Sequence, residues 1–187
     1  MLIPTDLLKA ALLCASTEET RYYLKGVPLS TSGHMVTTDG HRMFVARLTD
    51  TPAADVIRPL ADVQAALKLA GARCQEIEVS AEKIGQIAYT AVDGVFPDWR
   101  RVVPTGEESP SDKPEDAPAH AHFNHAYIGD LAKMGKALGG ASMLHPTSAS
   151  NPCLVTFGER ADCFAVLMPV RRGGDRSPVL TRNAVMA

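Results

Sequence analysis

Apolar residues along the chain follow two spacings, one of three to four residues that is typical of helices and one of two residues that is typical of strands. The helical spacing predicts three helices. The first covers 5–16 with Thr5 as its cap, the second begins at Pro59 and stops at Gly71, and the third stops at Gly139. Their apolar stripes are Leu8, Leu12 and Ala15, then Leu60, Val63, Leu67 and Ala70, then Tyr127, Leu131, Met134 and Leu138.

Strand-like segments separate these helices, and turn signals at Asp39-Gly40 and Gly158-Glu159 predict antiparallel hairpins. The predicted strands are 20–29, 35–38, 43–48, 56–58, 77–79, 84–92, 121–123, 154–157 and 163–168.

A helix followed by strands therefore recurs three times, at intervals of roughly sixty residues. One such unit cannot bury its apolar stripe alone. Two units side by side are expected to form one sheet with two helices on one face, which is an α+β fold. The third unit is expected to keep an unpaired edge.

The segment 93–104 is predicted to be an extended connector across the protein surface. Pro97 and Pro104 each favour an extended residue before them, and an Asp-Gly turn precedes them. Trp99, the one tryptophan in the sequence, is the expected buried anchor, with an arginine beside an apolar patch. A strand end followed by an ordinary linker is the alternative interpretation.

Charge and composition distinguish the segments with predicted helices and strands from a linker and a tail. The chain of 187 residues is 45% hydrophobic with a net charge of −2, and the segment 105–119 alone carries −4, which predicts an acidic flexible linker. The tail 173–187 is expected to be loose and basic. Four cysteines without CxxC pairing indicate reduced thiols, so we expect a cytoplasmic protein. No apolar run spans a bilayer and no signal-peptide start is recognisable.

Catalytic chemistry has weak support in the sequence. His120, His122 and His125 form an H-x-H-x-x-H cluster, but no cysteine lies near it and the cluster follows the linker. No nucleophile, phosphate-binding or zinc-protease motif is present. We therefore expect a non-enzymatic protein without a cofactor or a bound metal, and a small metal-dependent hydrolase is a remote alternative.

Five segments, in the same order, resemble one protein family. They are 20–26 (TRYYLKG), 38–43 (TDGHRM), 93–104 (DGVFPDWRRVVP), 123–124 (FN) and 168–171 (MPVR). The chain resembles the bacterial DNA polymerase III β sliding clamp, or processivity factor, as a shortened and divergent member.

The resemblance implies a clamp fold with about one and a half clamp domains. The segment 1–104 matches two half-units including the connector, and 120–172 matches a further half-domain. The linker 105–119 stands where the first half of the family's third domain would be. The family closes into a ring around DNA, and the missing parts put ring formation in doubt. Chains of three units could still close a ring as a tetramer if each unpaired unit met another.

The resemblance also implies a cleft that binds short apolar peptides of DNA polymerases and other replication or repair proteins. An apolar floor, adaptable methionines and arginines at the rim suit such peptides. The alternative is that Leu24, Met43 and Val102 are simply core. The matching positions are Leu24, Thr38, Gly40, His41, Arg42, Met43, Pro97, Arg101, Val102, Met168, Pro169, Val170 and Arg171.

Double-stranded DNA is the second implied partner. Helices line the hole of the family's ring, and their basic residues face phosphate without reading sequence. The alternatives are an ordinary solvated face and an interaction module that binds clamp-binding peptides without encircling DNA. The candidate DNA-facing residues are Lys9, Lys68, Arg73, Lys133 and Lys136.

Overall fold

The structure is a computed structural model that describes residues 1–104, 121–148 and 150–170. The predicted linker 105–119, the tail 173–187, His120 and Arg171 lie outside these residues. The helices are α1 Thr5–Leu12, α2 Leu60–Ala70 and α3 His125–Ala137, with 3-10 helices η1 Glu19–Leu24 and η2 Trp99–Val102. The strands are β1 Leu2–Pro4, β2 Gly26–Leu29, β3 His34–Thr38, β4 Arg42–Arg47, β5 Val56–Pro59, β6 Glu76–Glu78, β7 Lys83–Ile84, β8 Ile87–Ala88, β9 Ser142–His145, β10 Cys153–Phe157 and β11 Cys163–Leu167.

The main sheet has seven antiparallel strands in the order β5-β2-β3-β4-β11-β10-β9. The predicted α+β class is confirmed, but the first two units do not form one common sheet. They exchange strands instead, because β1 pairs with β6 while β5 pairs with β2. Pro4 and Pro59 each end a strand and are the N-caps of the helices that follow.

The third unit is not left unpaired as expected. Strand β11 pairs with β4 of the first unit along its whole length, from Cys163 opposite Ala46 to Leu167 opposite Arg42. The two predicted clamp-like parts therefore share one sheet. The edge strands of that sheet are β5 and β9.

The central strands are buried on both faces. Met35, Phe44 and Leu167 belong to a core under the helices, whereas Met43 and Val166 point to the opposite face. On that face they form a second, smaller cluster with the connector. Its members are Val36, Met43, Val45 and Val166, with Phe96, Trp99, Val103 and Phe164 packed against them. The helices and the connector thus cover opposite faces of one sheet.

Helix α1 packs against both α2 and α3. Its N-cap is Pro4 rather than Thr5, because Thr5 Oγ1 donates to the carbonyl of Cys74, 2.8 Å away. The helix ends at Leu12 instead of residue 16. There the hydrogen bonds change to the three-residue spacing of a 3-10 turn, in which Cys14 N donates to Ala11 O at 3.0 Å. No helix in the described ranges is long and apolar enough to cross a membrane.

The predicted strand over 20–29 is wrong in its first half, which forms η1. Tyr22 is 56% exposed, so the aromatic residues there do not form a buried strand face. Ion pairs from Arg21 to Glu18 and from Lys25 to Glu19 favour a local turn. The extended conformation begins only at β2, where it pairs with β5.

Three other strand predictions need correction. The segment 84–92 breaks at Gly85, whose φ of 54° makes a turn between β7 and β8. The segment 121–123 is not a strand, although His122 O accepts a hydrogen bond from Val170 N at 2.7 Å. Strand β9 was not predicted; it has few large apolar residues and is defined by its pairing with β10.

Candidate peptide-binding cleft

An open cavity of about 300 Å³ lies where η1, the β3–β4 turn, the connector and the end of β11 meet. We refer to this cavity as the cleft. Its walls therefore come from parts of the chain that are far apart in sequence. The lining residues are Arg21, Tyr23, Leu24, Thr38, Gly40, His41, Arg42, Met43, Phe96, Pro97, Asp98, Trp99, Val102, Val166 and Met168.

Most of the cleft residues suggested by the sequence lie in this lining. Arg101, Pro169 and Val170 adjoin it without lining it, and Arg171 is outside the described residues. The residues brought together are Leu24, Thr38, Gly40, His41, Arg42, Met43, Pro97, Val102 and Met168.

Sequence reasoning missed six lining residues. Phe96, Asp98 and Trp99 lie in the same connector as Pro97, and their large or charged side chains were a usable signal. Val166 gave no signal, because it lies inside a strand whose two faces are both buried. The full set of missed residues is Arg21, Tyr23, Phe96, Asp98, Trp99 and Val166.

The cleft floor is apolar and continuous with the small cluster under the connector. Leu24 and Met43 are buried and also line the cleft, so they belong both to the hydrophobic core and to the cleft floor. Val102 is 43% exposed and does not fit the simple core interpretation. Val102 therefore adds exposed apolar surface to the cleft.

The β3–β4 turn forms a hydrogen-bonded wall of the cleft. Asp39 Oδ1 accepts from the backbone N–H groups of His41 and Arg42, at 2.9 and 3.0 Å. Gly40 has a φ of 91°, which glycine adopts without strain. Met168 N donates to His41 O at 2.8 Å, so the end of the third unit is attached to this turn.

Arg42 is engaged inside the protein rather than free at the rim. Its Nε donates to Asp39 Oδ2 at 3.0 Å, its Nη1 donates to Asp130 Oδ2 of α3, and its guanidinium lies 4.6 Å from the centre of the Tyr127 ring. Burial alone would lower the pKa of Arg42, but hydrogen bonding to Asp130 and nearby negative charges raise it. Arg42 therefore links the β3–β4 turn, which forms one wall of the cleft, to α3.

Trp99 anchors the connector as predicted, but it is half-buried rather than buried, and the 3-10 helix η2 begins there in place of the predicted extended backbone. The half-buried indole lies 5.3 Å from the ring of His34 and 6.5 Å from that of Phe164, between ring centres. The guanidinium of Arg100 stacks on it at 4.5 Å, whereas the side chain of Arg101 is 83% exposed and forms an ion pair with Asp98. A second cavity of about 500 Å³ also borders the connector and shares Phe96, Pro97, Asp98 and Trp99 with the cleft.

The five candidate DNA-facing residues are all exposed on the helical side of the protein. Lys133 is engaged with Asp130, whose Oδ1 lies 2.6 Å from the ammonium. Together α1, α2 and α3 contain four lysines and three aspartates, which is a net charge of only +1. This charge is a weak attraction for a phosphate backbone within one chain.

The histidine cluster is only partly described, because His122 and His125 are placed and His120 is not. Within the described ranges, no group of three or more His, Cys, Asp or Glu is arranged to hold a metal ion.

Comparison of sequences finds relatives over about half of the chain. The β sliding clamp of Caulobacter vibrioides (strain NA1000) is 36% identical over 109 residues, which cover 48% of this chain and 29% of that protein. The β sliding clamp of Escherichia coli K12 is 31% identical over 112 residues, covering 52% and 31%. The chain thus matches about three tenths of the length of these relatives. No family model matches it.

Comparison of structures extends the likeness to 92% of the chain. One neighbour is a sliding clamp (DNA polymerase III subunit beta) from Bartonella birtlesii bound to griselimycin, with a TM-score of 0.64, 22% identity and 66% of that chain covered. Another is the DNA polymerase III beta subunit of Thermotoga maritima, with a TM-score of 0.67, 15% identity and 65% covered. At these identities the likeness concerns the fold.

Proposed function

Since the chain is a divergent, partial member of the β sliding clamp family, we propose that it tethers a DNA polymerase or another replication or repair protein to DNA. The partner would place a short, largely apolar peptide in the cleft. Membership of a clamp family agrees with the expectation of a non-enzymatic protein. A cytoplasmic location is part of the same proposal.

The observation that carries this proposal is an open, largely apolar cavity between two walls that are hydrogen-bonded or packed into the fold. One wall is the hydrogen-bonded β3–β4 turn and the other is the connector anchored by Trp99. A preformed site loses little conformational entropy when it binds, so even a short peptide can bind with useful affinity.

The chemistry of the cleft suits an extended peptide with two or more apolar side chains. Met43 and Val166 provide the buried floor, and Val102 and Met168 complete the apolar wall. Methionine side chains adapt to differently shaped partners, which fits a site that serves several proteins. Arg21 would lie beside an acidic group of the peptide.

Fluorescence polarisation with a labelled clamp-binding peptide from a polymerase tests the proposal directly. Met168→Ala should weaken binding by about fivefold or more, because we expect Met168 to be one of the few contact residues whose truncation costs more than about 1 kcal/mol. Met143→Ala is the matched control, since Met143 is 45% exposed on β9 and does not line the cleft. Equal affinities of wild type and Met168→Ala would argue against the cleft as the site.

An interaction module that binds peptides without encircling DNA is the second candidate. The small net charge of the helices favours it, because the described helices offer little attraction for DNA. Retention on nicked circular DNA, but not on the same DNA linearised, would support a ring. A protein that binds the peptide but shows no such retention would fit the second candidate.

Ring closure requires several copies of the chain. The tetramer was expected from an unpaired third unit, but β11 pairs with β4 of the same chain, so in the main sheet the edge strands β5 and β9 are the ones left for pairing between copies. Light scattering at high protein concentration measures the assembly. A strict monomer would exclude a homo-oligomeric ring and leave the peptide-binding role to be judged by polarisation alone.

A further inference from the structure

Arg58 of β5 is a buried arginine without a carboxylate partner. Its relative exposure is 2%, the lowest among the charged residues in the described part of the chain. None of the ion pairs found among the described residues includes it. By contrast, Arg42 and Arg160 each contact two aspartates. A buried positive charge is costly unless a counter-charge compensates it.

The described residues satisfy only some of the hydrogen-bond donors of the Arg58 guanidinium. Nη2 donates to Ser80 O at 3.2 Å, Nη1 lies at the long distance of 3.5 Å from Val56 O, and Nε has no hydrogen-bond partner among the described residues. The guanidinium also lies 5.3 Å from the centre of the Tyr89 ring, and Tyr89 Oη donates to the same Ser80 carbonyl at 2.9 Å. These neutral groups orient the guanidinium but do not neutralise it.

Arg58 also lines a cavity of about 260 Å³. Val56 and Ser80, whose carbonyls Arg58 contacts, both line the cavity together with Arg58 itself. The remaining lining is largely apolar, including Pro52, Ala54 and Val79, and contains no aspartate or glutamate. The cavity shares no lining residue with the cleft, so the inference does not depend on the proposed function.

We propose that this cavity binds a small aliphatic monocarboxylate, whose carboxylate pairs with Arg58 and whose tail lies against the apolar wall. The planar guanidinium matches the geometry of a carboxylate and supplies the counter-charge that the burial requires. The volume suits a ligand of roughly five to ten heavy atoms. Phosphate would also pair with Arg58, but it would leave the apolar wall uncovered.

The test uses hexanoate, hexanol and inorganic phosphate as probes of thermal unfolding, each at up to about 50 mM and constant ionic strength. Hexanoate should raise Tm in a saturable way and should bind in calorimetry, and hexanol and phosphate should do neither. Arg58→Met should reduce the affinity for hexanoate at least tenfold. Arg47→Met is the matched control, because Arg47 lies exposed on β4, and it should keep the wild-type response.

Ala54→Trp provides a second variant if Arg58→Met does not fold. Ala54 is exposed at the rim of the cavity, so a bulky side chain there should block hexanoate without disturbing the core. The proposal is overturned if hexanoate gives no saturable response or acts equally on Arg58→Met or Ala54→Trp. It is also overturned if hexanol or phosphate matches hexanoate.

Discussion

Arg42 of β4 and Asp130 of α3 form an ion pair between residues 88 positions apart in the chain. The same guanidinium binds Asp39, which organises the β3–β4 turn. One arginine therefore connects a wall of the cleft to the helix of the third unit. The shape of the cleft and the docking of the third unit should consequently depend on each other.

Replacing Asp130 with asparagine should destabilise the protein by about 1–3 kcal/mol, because a charged hydrogen bond to the largely buried Arg42 is weakened. Urea unfolding at pH 7 measures this change in the free energy of unfolding. Lys133→Ala is the control, since Lys133 is exposed and its pair with Asp130 should contribute less than about 1 kcal/mol. Similar losses in both variants would contradict the role given to Arg42.

The contribution of Asp130 should also depend on pH. Partial burial raises the pKa of Asp130, but hydrogen bonds from Lys133 and Arg42 and their positive charges lower it more, so the net shift is below the ordinary value of 3.8. The folded state then holds the proton less tightly than the unfolded state. The stability gap between wild type and Asp130→Asn should be complete above that value and shrink as pH falls through the folded pKa. Urea titrations from pH 7 to pH 3 measure it, and a gap that grows on acidification would contradict the pairing.

Two glycines in α3 should respond to alanine in opposite directions. An added Cβ at Gly129 meets nothing within 4 Å, so Gly129→Ala should stabilise the helix by up to about 1 kcal/mol. At Gly135 the Cβ would lie 2.6 Å from Gly140 O and from Ser142 Oγ, so Gly135→Ala should destabilise by about 1–3 kcal/mol. Denaturant unfolding of both variants checks the sign, and a stable Gly135→Ala would mean that the α3–β9 connection is looser than described.

The four cysteines should differ in reactivity, with Cys74 the first to be modified. Burial raises the pKa of the Cys14 and Cys153 thiols and raises the pKa of Cys163 to about 11, so these thiols stay protonated and enclosed at pH 8. Cys74 is half-exposed. Ellman's reagent should therefore titrate one thiol rapidly in the native protein and none rapidly in Cys74→Ser. Rapid reaction of a second thiol would indicate local opening of the core.

Trp99 should report on peptide binding, because the one indole of the sequence lines the cleft. A bound peptide would exclude water from it and shift its emission to shorter wavelength. Titration with the unlabelled peptide should follow the polarisation curve, and Met168→Ala should move both curves together. Binding by polarisation without any change in emission would place the peptide elsewhere.

The β3–β4 turn and the ends of α2 were predictable from local chemistry, whereas the N-cap and the last residue of α1 were not. Asp39-Gly40 makes the β3–β4 turn, and Pro59 and Gly71 bound α2 as expected. Local sequence signals gave wrong or missing predictions where tertiary contacts determine the secondary structure. Tyr22 has a strand-like side chain but is exposed in η1, and β9 exists because β10 offers a pairing edge.

The sequence indicated which segments form the cleft, but it did not indicate what each side chain in them contacts. Arg42 and Arg101 look alike in the sequence, yet one is enclosed by two aspartates and the other is in solvent. Arg58 gave no signal, because nothing in a strand sequence tells which arginine will be buried without a partner.

The pairing of β11 with β4 has a consequence for synthesis. Val166 and Met168, which line the cleft, lie more than 120 residues after Met43, beside which they pack or pair. A nascent chain that has emerged only through the connector would have one half of the binding surface and an uncovered strand edge. The proposed recruitment of a partner would thus require synthesis through Met168, and a product that stops at the connector would lack this part of the cleft.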